Sequence, residues 1–169
     1  MNSAAYALPH LSKLFHYGFA TLYENIDTRE KSLHATVSHN KGDVFATFES
    51  SQTLNSPNRF TVQVNDDTHI ILQPEFLQYI NHSCNPNVFF DTSKMELSCL
   101  TDIAAGDEFT FFYPSTEWAM AEPFHCFCGA NGCLNEIQGA SFLPHEIIPN
   151  YKFTDFIIQK LNNTYLQKV

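Results

Sequence analysis

The residues able to do chemistry concentrate in two stretches. The later one reads Phe124-His125-Cys126-Phe127-Cys128-Gly129-Ala130-Asn131-Gly132-Cys133. Cys-x-Cys followed by a Gly-bearing turn and a third Cys is poor disulfide architecture, because neighbours this close cannot easily reach bridge geometry. In an intracellular chain such a cluster reads first as a metal site. Zinc favours four ligands in a closed tetrahedron, and this segment offers three thiols. Two candidates compete for the fourth place, Cys84 and the adjacent His125. Cys84 ranks first, because His125 as ligand leaves a Cys in a polar loop without explanation. The fifth cysteine, Cys99, lies in the apolar run "MELSCL" and reads as a small buried hydrophobe.

The earlier stretch reads Tyr79-Ile80-Asn81-His82-Ser83-Cys84-Asn85-Pro86-Asn87. Asn85-Pro86-Asn87 is ordinary turn chemistry. A turn does not explain why Asn, His, Ser and Cys lead into it from the apolar run Phe76-Leu77-Gln78-Tyr79-Ile80. Polar groups that close to a core need partners in the protein, a metal or a ligand.

The elements that must position these residues are mostly short strands. From about residue 27 to 112 the chain alternates strands and turns: "SLHATV", "VFATFES", "RFTVQVN", "HIILQ", "NVFFD", "MELSCLT" and "EFTFFY". The stretch "SQTLNSPN" reads as a polar link, and Gly42-Asp43 and Gly106-Asp107 punctuate the pattern. Two helices are expected. One is short, over 74–79; the other covers about 151–166, with Asn150 as its cap and Phe153, Phe156, Ile157, Lys160, Leu161 and Thr164 at helical spacing.

A length of 169 residues suits one core, and 16 Phe supply more ring surface than such a core needs, some of it available to line a pocket. The 9 Lys and Arg against 18 Asp and Glu argue against direct binding to a nucleic-acid backbone. The same acidity suits a basic, Lys-bearing peptide or protein partner. "MNSAAYALPHLSKLF" lacks a basic start followed by a long apolar run, and no stretch reaches membrane-spanning length, so the expectation is a soluble intracellular protein without a membrane partner.

Taken together, Asn81-His82-Ser83-Cys84-Asn85-Pro86-Asn87, the later "GDEFTFFY" and "CFCGANGC" resemble the SET-domain protein lysine methyltransferases with their post-SET zinc segment. The similarity runs over about 33–143. The resemblance implies a mostly β SET fold of small sheets in which the Asn-His loop and the Tyr segment cross as a pseudoknot, followed by a zinc loop and a C-terminal helix. It implies one compact unit over 1–169, with a core over 28–113, a post-SET segment over 114–143 and a helical extension over 144–169. It further implies S-adenosylmethionine on one side of the crossing and a substrate lysine entering from the other. Tyr113 is then the catalytic residue, Asn81 and His82 hold the cofactor, and Cys84 joins Cys126, Cys128 and Cys133 on structural zinc. Phe109, Phe111, Phe112, Phe89, Phe90 and Tyr79 are the reservoir for an aromatic lysine channel.

The chain departs from the family pattern at several positions. Glu30-Lys31-Ser32 stands where the family has Gly-x-Gly, which predicts a differently shaped cofactor cradle built from Lys31, Ser32 and Leu33. Gln78-Tyr79 replaces Arg-Phe, with Tyr79 still on the cofactor side. Phe112 replaces the Asp before the Tyr, and the segment between "FATFES" and "RFTVQ" is short. Ile137 or Phe124 is left to cover the adenine, since Leu134-Asn135-Glu136 replaces the usual Arg-Gly lead. These departures keep two other readings open: a methyltransferase for a small amine or another nonhistone acceptor, and a SET-like binding module without turnover.

Overall fold

A computed structural model describes residues 10–166; most of the N-terminal stretch read above for a targeting pattern lies outside the described residues. The architecture is mostly β, as expected, in four small sheets. Strands Leu11–His16, Ala20–Asn25 and Lys31–Ala35 form an antiparallel sheet in sequence order. Strands Glu49–Leu54, Thr68–Gln73 and Thr61–Asn65 form a second, with Thr68–Gln73 in the middle. A two-stranded ladder joins Phe124–His125 to Glu136–Ile137.

The remaining sheet has five strands in the order Val44–Thr47, Glu96–Cys99, Val88–Asp91, Thr110–Phe111, Asn81–His82. Thr110–Phe111 lies parallel to both of its neighbours. Those neighbours are joined to each other by residues 83–87, so the later strand sits between two strands of an earlier loop. That is the expected pseudoknot, and the hydrogen bonds around it are dense. Ser83 N–H donates to the Phe111 carbonyl (3.0 Å) and Asn87 N–H to the Thr110 carbonyl (3.1 Å). The Asn87 side chain clamps the other strand edge, accepting from Thr110 N–H (2.8 Å) and donating to the Glu108 carbonyl (2.8 Å).

Three apolar clusters hold these pieces. The main one packs Leu22, Leu33, Phe48, Leu72, Leu77, Ile80, Phe90, Leu97 and Phe109 between the sheets, with Cys99 buried among them as read from the sequence. A second joins Phe112 and Ala140 to Phe153, Ile157 and Leu161 of the C-terminal segment. Burying each of those larger side chains contributes about 1.5 to 3 kcal/mol, so the second cluster is what keeps the last helix on the body. The third is small and surrounds Cys84, Cys126 and Ile137.

Three expectations need correcting. Two strands, Leu11–His16 and Ala20–Asn25, precede the strand-rich region expected from about residue 27, and Ala20–Asn25 pairs with Lys31–Ala35. Only the first half of Ala20–Asn25 is buried and Leu11–His16 is largely exposed, so neither carries clean alternation. The polar link "SQTLNSPN" contributes four of its residues to the strand Glu49–Leu54, exposed along most of its length. Its polarity is what an outer strand shows to water. Finally, the last helix starts at Asp155. Asn150 ends a preceding 3-10 segment, His145–Asn150, and residues 151–154 run on without helix: Thr154 N–H donates to the Ser115 carbonyl (3.0 Å) and the Phe153 and Thr154 side chains are buried. Within the helix the stripe is as read, with Ile157 and Leu161 inward, while Phe153 is buried ahead of it. The short helix is also present, as a 3-10 segment over Glu75–Tyr79.

Candidate active site and metal centre

The threaded loop brings Asn81, His82 and Tyr113 together. Asn81 Nδ2 donates to the Lys31 carbonyl (2.9 Å) and to Glu108 Oε1 (2.8 Å), which ties the loop to the segment standing in place of Gly-x-Gly. Tyr113 N–H donates to His82 Nδ1 at 3.3 Å. Burial pushes the His82 imidazole down to about 4, so the ring is neutral; with Nδ1 accepting, its proton sits on Nε2, which faces Cys84 Sγ at 3.3 Å. One side chain thus touches both the Tyr and a cysteine of the metal group.

Tyr113 is half-buried and its hydroxyl donates to the Ile80 carbonyl at 3.3 Å. Burial pushes that phenol well above its ordinary range, so it stays protonated near neutrality. Rings gather around it: Phe111 at 4.6 Å between centroids, His82 at 5.2 Å and Phe124 at 6.0 Å. The expected ring reservoir is therefore only partly used. Phe109 stacks on Phe45 in the main core, and Phe90 packs against Phe48 and Phe111. Phe112 stacks on Tyr151 (3.8 Å, 7°) under the C-terminal helix, and Phe89 lies beneath Lys152. The reason is strand alternation, which sends Phe111 and Phe112 to opposite faces. It also explains the missing Asp, since position 112 is an apolar anchor for the C-terminal segment.

The cofactor-side residues read from the sequence divide into three kinds. Lys31 and Tyr79 stand together, with Lys31 Nζ 3.5 Å from the Tyr79 hydroxyl and 4.8 Å from its ring centre, and both line a cavity of about 510 Å³ with Tyr17 and Phe76. Gln78 is turned away and donates to Glu75 (3.1 Å). Ser32 and Leu33 are buried, Ser32 bonded to His34 Nε2 (2.9 Å) and Leu33 in the main core with its carbonyl accepting from Phe109 N–H (2.8 Å), so neither side chain is presented to a ligand. Phe124 is half-buried with its ring 5.6 Å from that of His82, whereas Ile137 is 1 % exposed and packed between the thiols. A cover for a ligand has to be reachable, and that removes Ile137 and leaves Phe124. The strand Asn81–His82 is at the edge of its sheet, so one side of its backbone is open to a ligand.

The four thiols Cys84, Cys126, Cys128 and Cys133 converge, with all Sγ atoms within 4.8 Å of one another. A Zn–S bond of about 2.3 Å places tetrahedral sulfurs roughly 3.8 Å apart, so the group fits such an ion. Backbone N–H groups point at the sulfurs, Leu134 at Cys84 (3.4 Å), Cys84 at Cys128 (3.5 Å) and Cys128 at Cys126 (3.4 Å). Donors aimed at sulfur favour thiolates, the form that binds metal. Burial pushes Cys126 up to about 11 and Cys84 higher still. For Cys128, burial is outweighed by hydrogen bonds from the Ala130 and Cys84 N–H groups and the neighbouring thiols, which bring it down to about 6. His125 is elsewhere, its Nδ1 2.8 Å from Glu136 Oε1 across the small ladder. Of the two candidates for the fourth place, Cys84 lies in the thiol group and His125 does not.

Three participants had not been singled out from the sequence. Glu108 buttresses Asn81, the Ile80 carbonyl receives the Tyr113 hydroxyl, and the Tyr151 hydroxyl donates to the Cys84 carbonyl (3.0 Å). The Glu of "GDEFTFFY" was visible in the motif; the other two are contacts between distant segments and leave no local signal.

Against known proteins, the family description "SET domain" matches residues 19–114, more than half of the chain. This chain belongs to the SET-domain family. It is 43 % identical over 93 residues to the "Methyltransferase flvH" of Aspergillus flavus, covering 54 % of this chain and 52 % of that protein. It is 36 % identical over 69 residues to an H3 lysine-36-specific histone-lysine N-methyltransferase of Schizosaccharomyces pombe, covering 37 % of this chain and 8 % of that one. The SET-domain chain thus spans about half of the first relative and a small part of the second. The fold resembles that of KRYPTONITE, whose crystal structure is a complex with mCHH DNA, an H3(1-15) peptide and SAH, with a TM-score of 0.51 at 18 % identity over 68 % of this chain and 28 % of the other.

Proposed function

We propose that this SET-domain chain transfers a methyl group from S-adenosylmethionine to the side-chain amine of a lysine in a protein or peptide. The observation that carries the reading is the Tyr113 hydroxyl on the Ile80 carbonyl, beside the Asn81-His82 edge of the threaded loop. S-adenosylmethionine supplies an activated methyl group on a sulfonium sulfur. Transfer to nitrogen is an in-line displacement whose main demand is alignment. A second demand is a neutral amine, because a free lysine with a pKa of about 10.4 is almost wholly protonated near neutrality.

The residues answer both demands. Phe111 and Tyr113 line an apolar approach that disfavours the ammonium form. The Tyr113 phenol and the Ile80 carbonyl orient the amine. Asn81 and His82 offer the open strand edge to the adenine, with Phe124 over it. Lys31 and Tyr79 take the amino-acid end; the Lys31 amine stands for the cation that Gln78 does not provide, and Ser32 and Leu33 contribute backbone alone. The four thiols hold a structural zinc ion that fixes the segment bearing Phe124. In this arrangement the core, the 114–143 metal segment and the 144–169 extension act as one unit on a basic, Lys-bearing partner.

The test is calorimetric titration of S-adenosylmethionine into zinc-replete protein, followed by methylation of Lys-bearing peptides and small amines. Micromolar cofactor binding with peptide methylation is expected, and Tyr113→Phe is expected to lower turnover at least 100-fold with cofactor affinity within about threefold. No cofactor binding leaves a binding module. A small-amine acceptor is the second reading, favoured by the relative named only as a methyltransferase and by the outer sheet Glu49–Leu54, Thr68–Gln73, Thr61–Asn65, which is all that the region between residues 49 and 73 offers beside a peptide. Turnover of small amines but of no peptide decides for it.

A further inference from the structure

A second cavity, of about 460 Å³, opens on the far side of the threaded loop, between residues 84–89 and the chain entering the last helix. It does not include Tyr113, Lys31 or Tyr79, and it shares with the thiol group only Cys84, which is buried in its wall. Its depth is apolar and aromatic: Phe89 and Phe112 are buried, and Tyr151 is stacked flat on Phe112. Its rim carries Lys41 and Lys152 together with the amides of Asn85 and Asn150, all exposed. No acidic residue lines it.

That composition runs against the rest of the molecule. The chain has twice as many acids as bases, yet two of its 9 cationic residues meet here without a carboxylate in the wall. Among the described residues neither amine is in an ion pair. Asp102, the acid tied to this rim, accepts the Lys41 backbone N–H (2.8 Å). The Lys152 amine is held 4.1 Å from the centre of the Phe89 ring, above the apolar depth. Ser115 lies in the floor, 2 % exposed, and its hydroxyl has no hydrogen-bond partner among the described residues. Buried hydroxyls are normally paired, so this one marks a place built to meet a further polar atom.

We propose that this cavity binds a small organic anion with a flat apolar body, of the aromatic carboxylate class. The ring system lies against the outer face of Tyr151, backed by Phe112 and Phe89, whose own faces carry Tyr151 and the Lys152 amine. The carboxylate sits between the Lys41 and Lys152 amines, with the two rim amides able to donate to it. An oxygen at the far end of the body reaches toward Ser115. The volume falls in the range of small-molecule sites. The site is independent of methyl transfer, since none of its residues contacts the reacting groups.

The experiment is calorimetric titration of 6-hydroxy-2-naphthoate and of its neutral amide into the zinc-replete full chain, with and without saturating S-adenosylhomocysteine. The acid is expected to bind about tenfold or more tightly than the amide, with an affinity that S-adenosylhomocysteine leaves unchanged. Lys41→Met and Lys152→Met are expected each to weaken the acid about three- to tenfold and to leave the amide alone; both side chains are exposed, and an unchanged thermal midpoint confirms intact folding. Equal affinity for acid and amide, no binding of the acid, displacement by S-adenosylhomocysteine, or lysine variants that bind the acid as well as the parent would each overturn the proposal.

Discussion

The threaded loop and the thiol group meet at Cys84, yet they are held in opposite ways. Around the loop, strand ladders and the two Asn side chains tie the chain to its neighbours through protein groups, with only the Asn81–His82 edge left open. Around the thiols, regular structure amounts to two strands of two residues each, and the apolar cluster has three buried members. Hydrogen bonds formed between protein groups persist without help, whereas four clustered thiols need an ion to hold them in place. The loop is thus set by the chain, and an ion on the four thiols would add the hold that the segment carrying Phe124 lacks.

Removing the metal is the most severe way to break that comparison. Chelation, or Cys126→Ser, is expected to remove a structural ion whose binding is worth on the order of 10 kcal/mol in small zinc modules. Hydrogen exchange should then rise sharply across residues 120–137 and stay low in Val88–Asp91 and Glu96–Cys99. Equal loosening of both regions would mean that the loop depends on the ion as well.

Asn87→Ala attacks the other side. It leaves Thr110 N–H and the Glu108 carbonyl without their partner, at a cost of about 2 to 4 kcal/mol. Denaturant midpoints should drop while the metal content of the folded protein stays the same. A variant that keeps its stability would show that the strand ladders alone clamp the crossing.

Glu117, just beyond the crossing, gives a pH signature of similar size. Burial pushes its carboxyl up to about 7, against the hydrogen bonds it accepts from Gln63 N–H and Thr116 Oγ1. The folded protein therefore holds this proton more tightly than the unfolded chain. Its contribution to stability is full below about pH 4.5, falls as pH rises toward 7 and is level above that, for a total of about 3 kcal/mol. Glu117→Gln should flatten the stability curve between pH 5 and 8 and exceed the parent above pH 7. An identical slope in both proteins would assign the pH dependence to other groups.

The smallest effect concerns the link between the two regions and the C-terminal segment. Tyr151→Phe removes the bond to the Cys84 carbonyl and keeps the stack on Phe112, so about 1 kcal/mol is expected. Faster metal loss to a chelator should accompany it, and an unchanged rate would mean that Tyr151 only packs.

The loop, the thiols and Tyr113 were legible because each is a local pattern with few uses, and Cys-x-Cys with a third Cys has almost none besides metal. The fourth ligand was ranked but not settled by sequence, because His125 and Cys84 are both plausible donors until the ladder with Glu136 turns the His away. Strand Glu49–Leu54 was hidden by polarity, and Ala20–Asn25 by burial confined to its first half. The aromatic residues misled most. A Phe in a sequence carries no label for the core or the C-terminal anchor: Phe109 and Phe111 joined the main core, Phe111 beside Tyr113, and Phe112 became the anchor. Of the two candidate covers, Ile137 is buried with Cys84 and Cys126, which leaves no local signal in the sequence.

The strand Thr110–Phe111, held on both sides, acts like a thread passed through an eye. To come out lengthwise it must draw through that gap all that follows it, including the thiol segment and the last helix. A loaded metal group makes that trailing part bulky and stiff, as a bead does at the end of a string. An ion on the thiols would therefore govern how long the site lasts through the rate of escape, besides any effect of its place beside His82 and Tyr113.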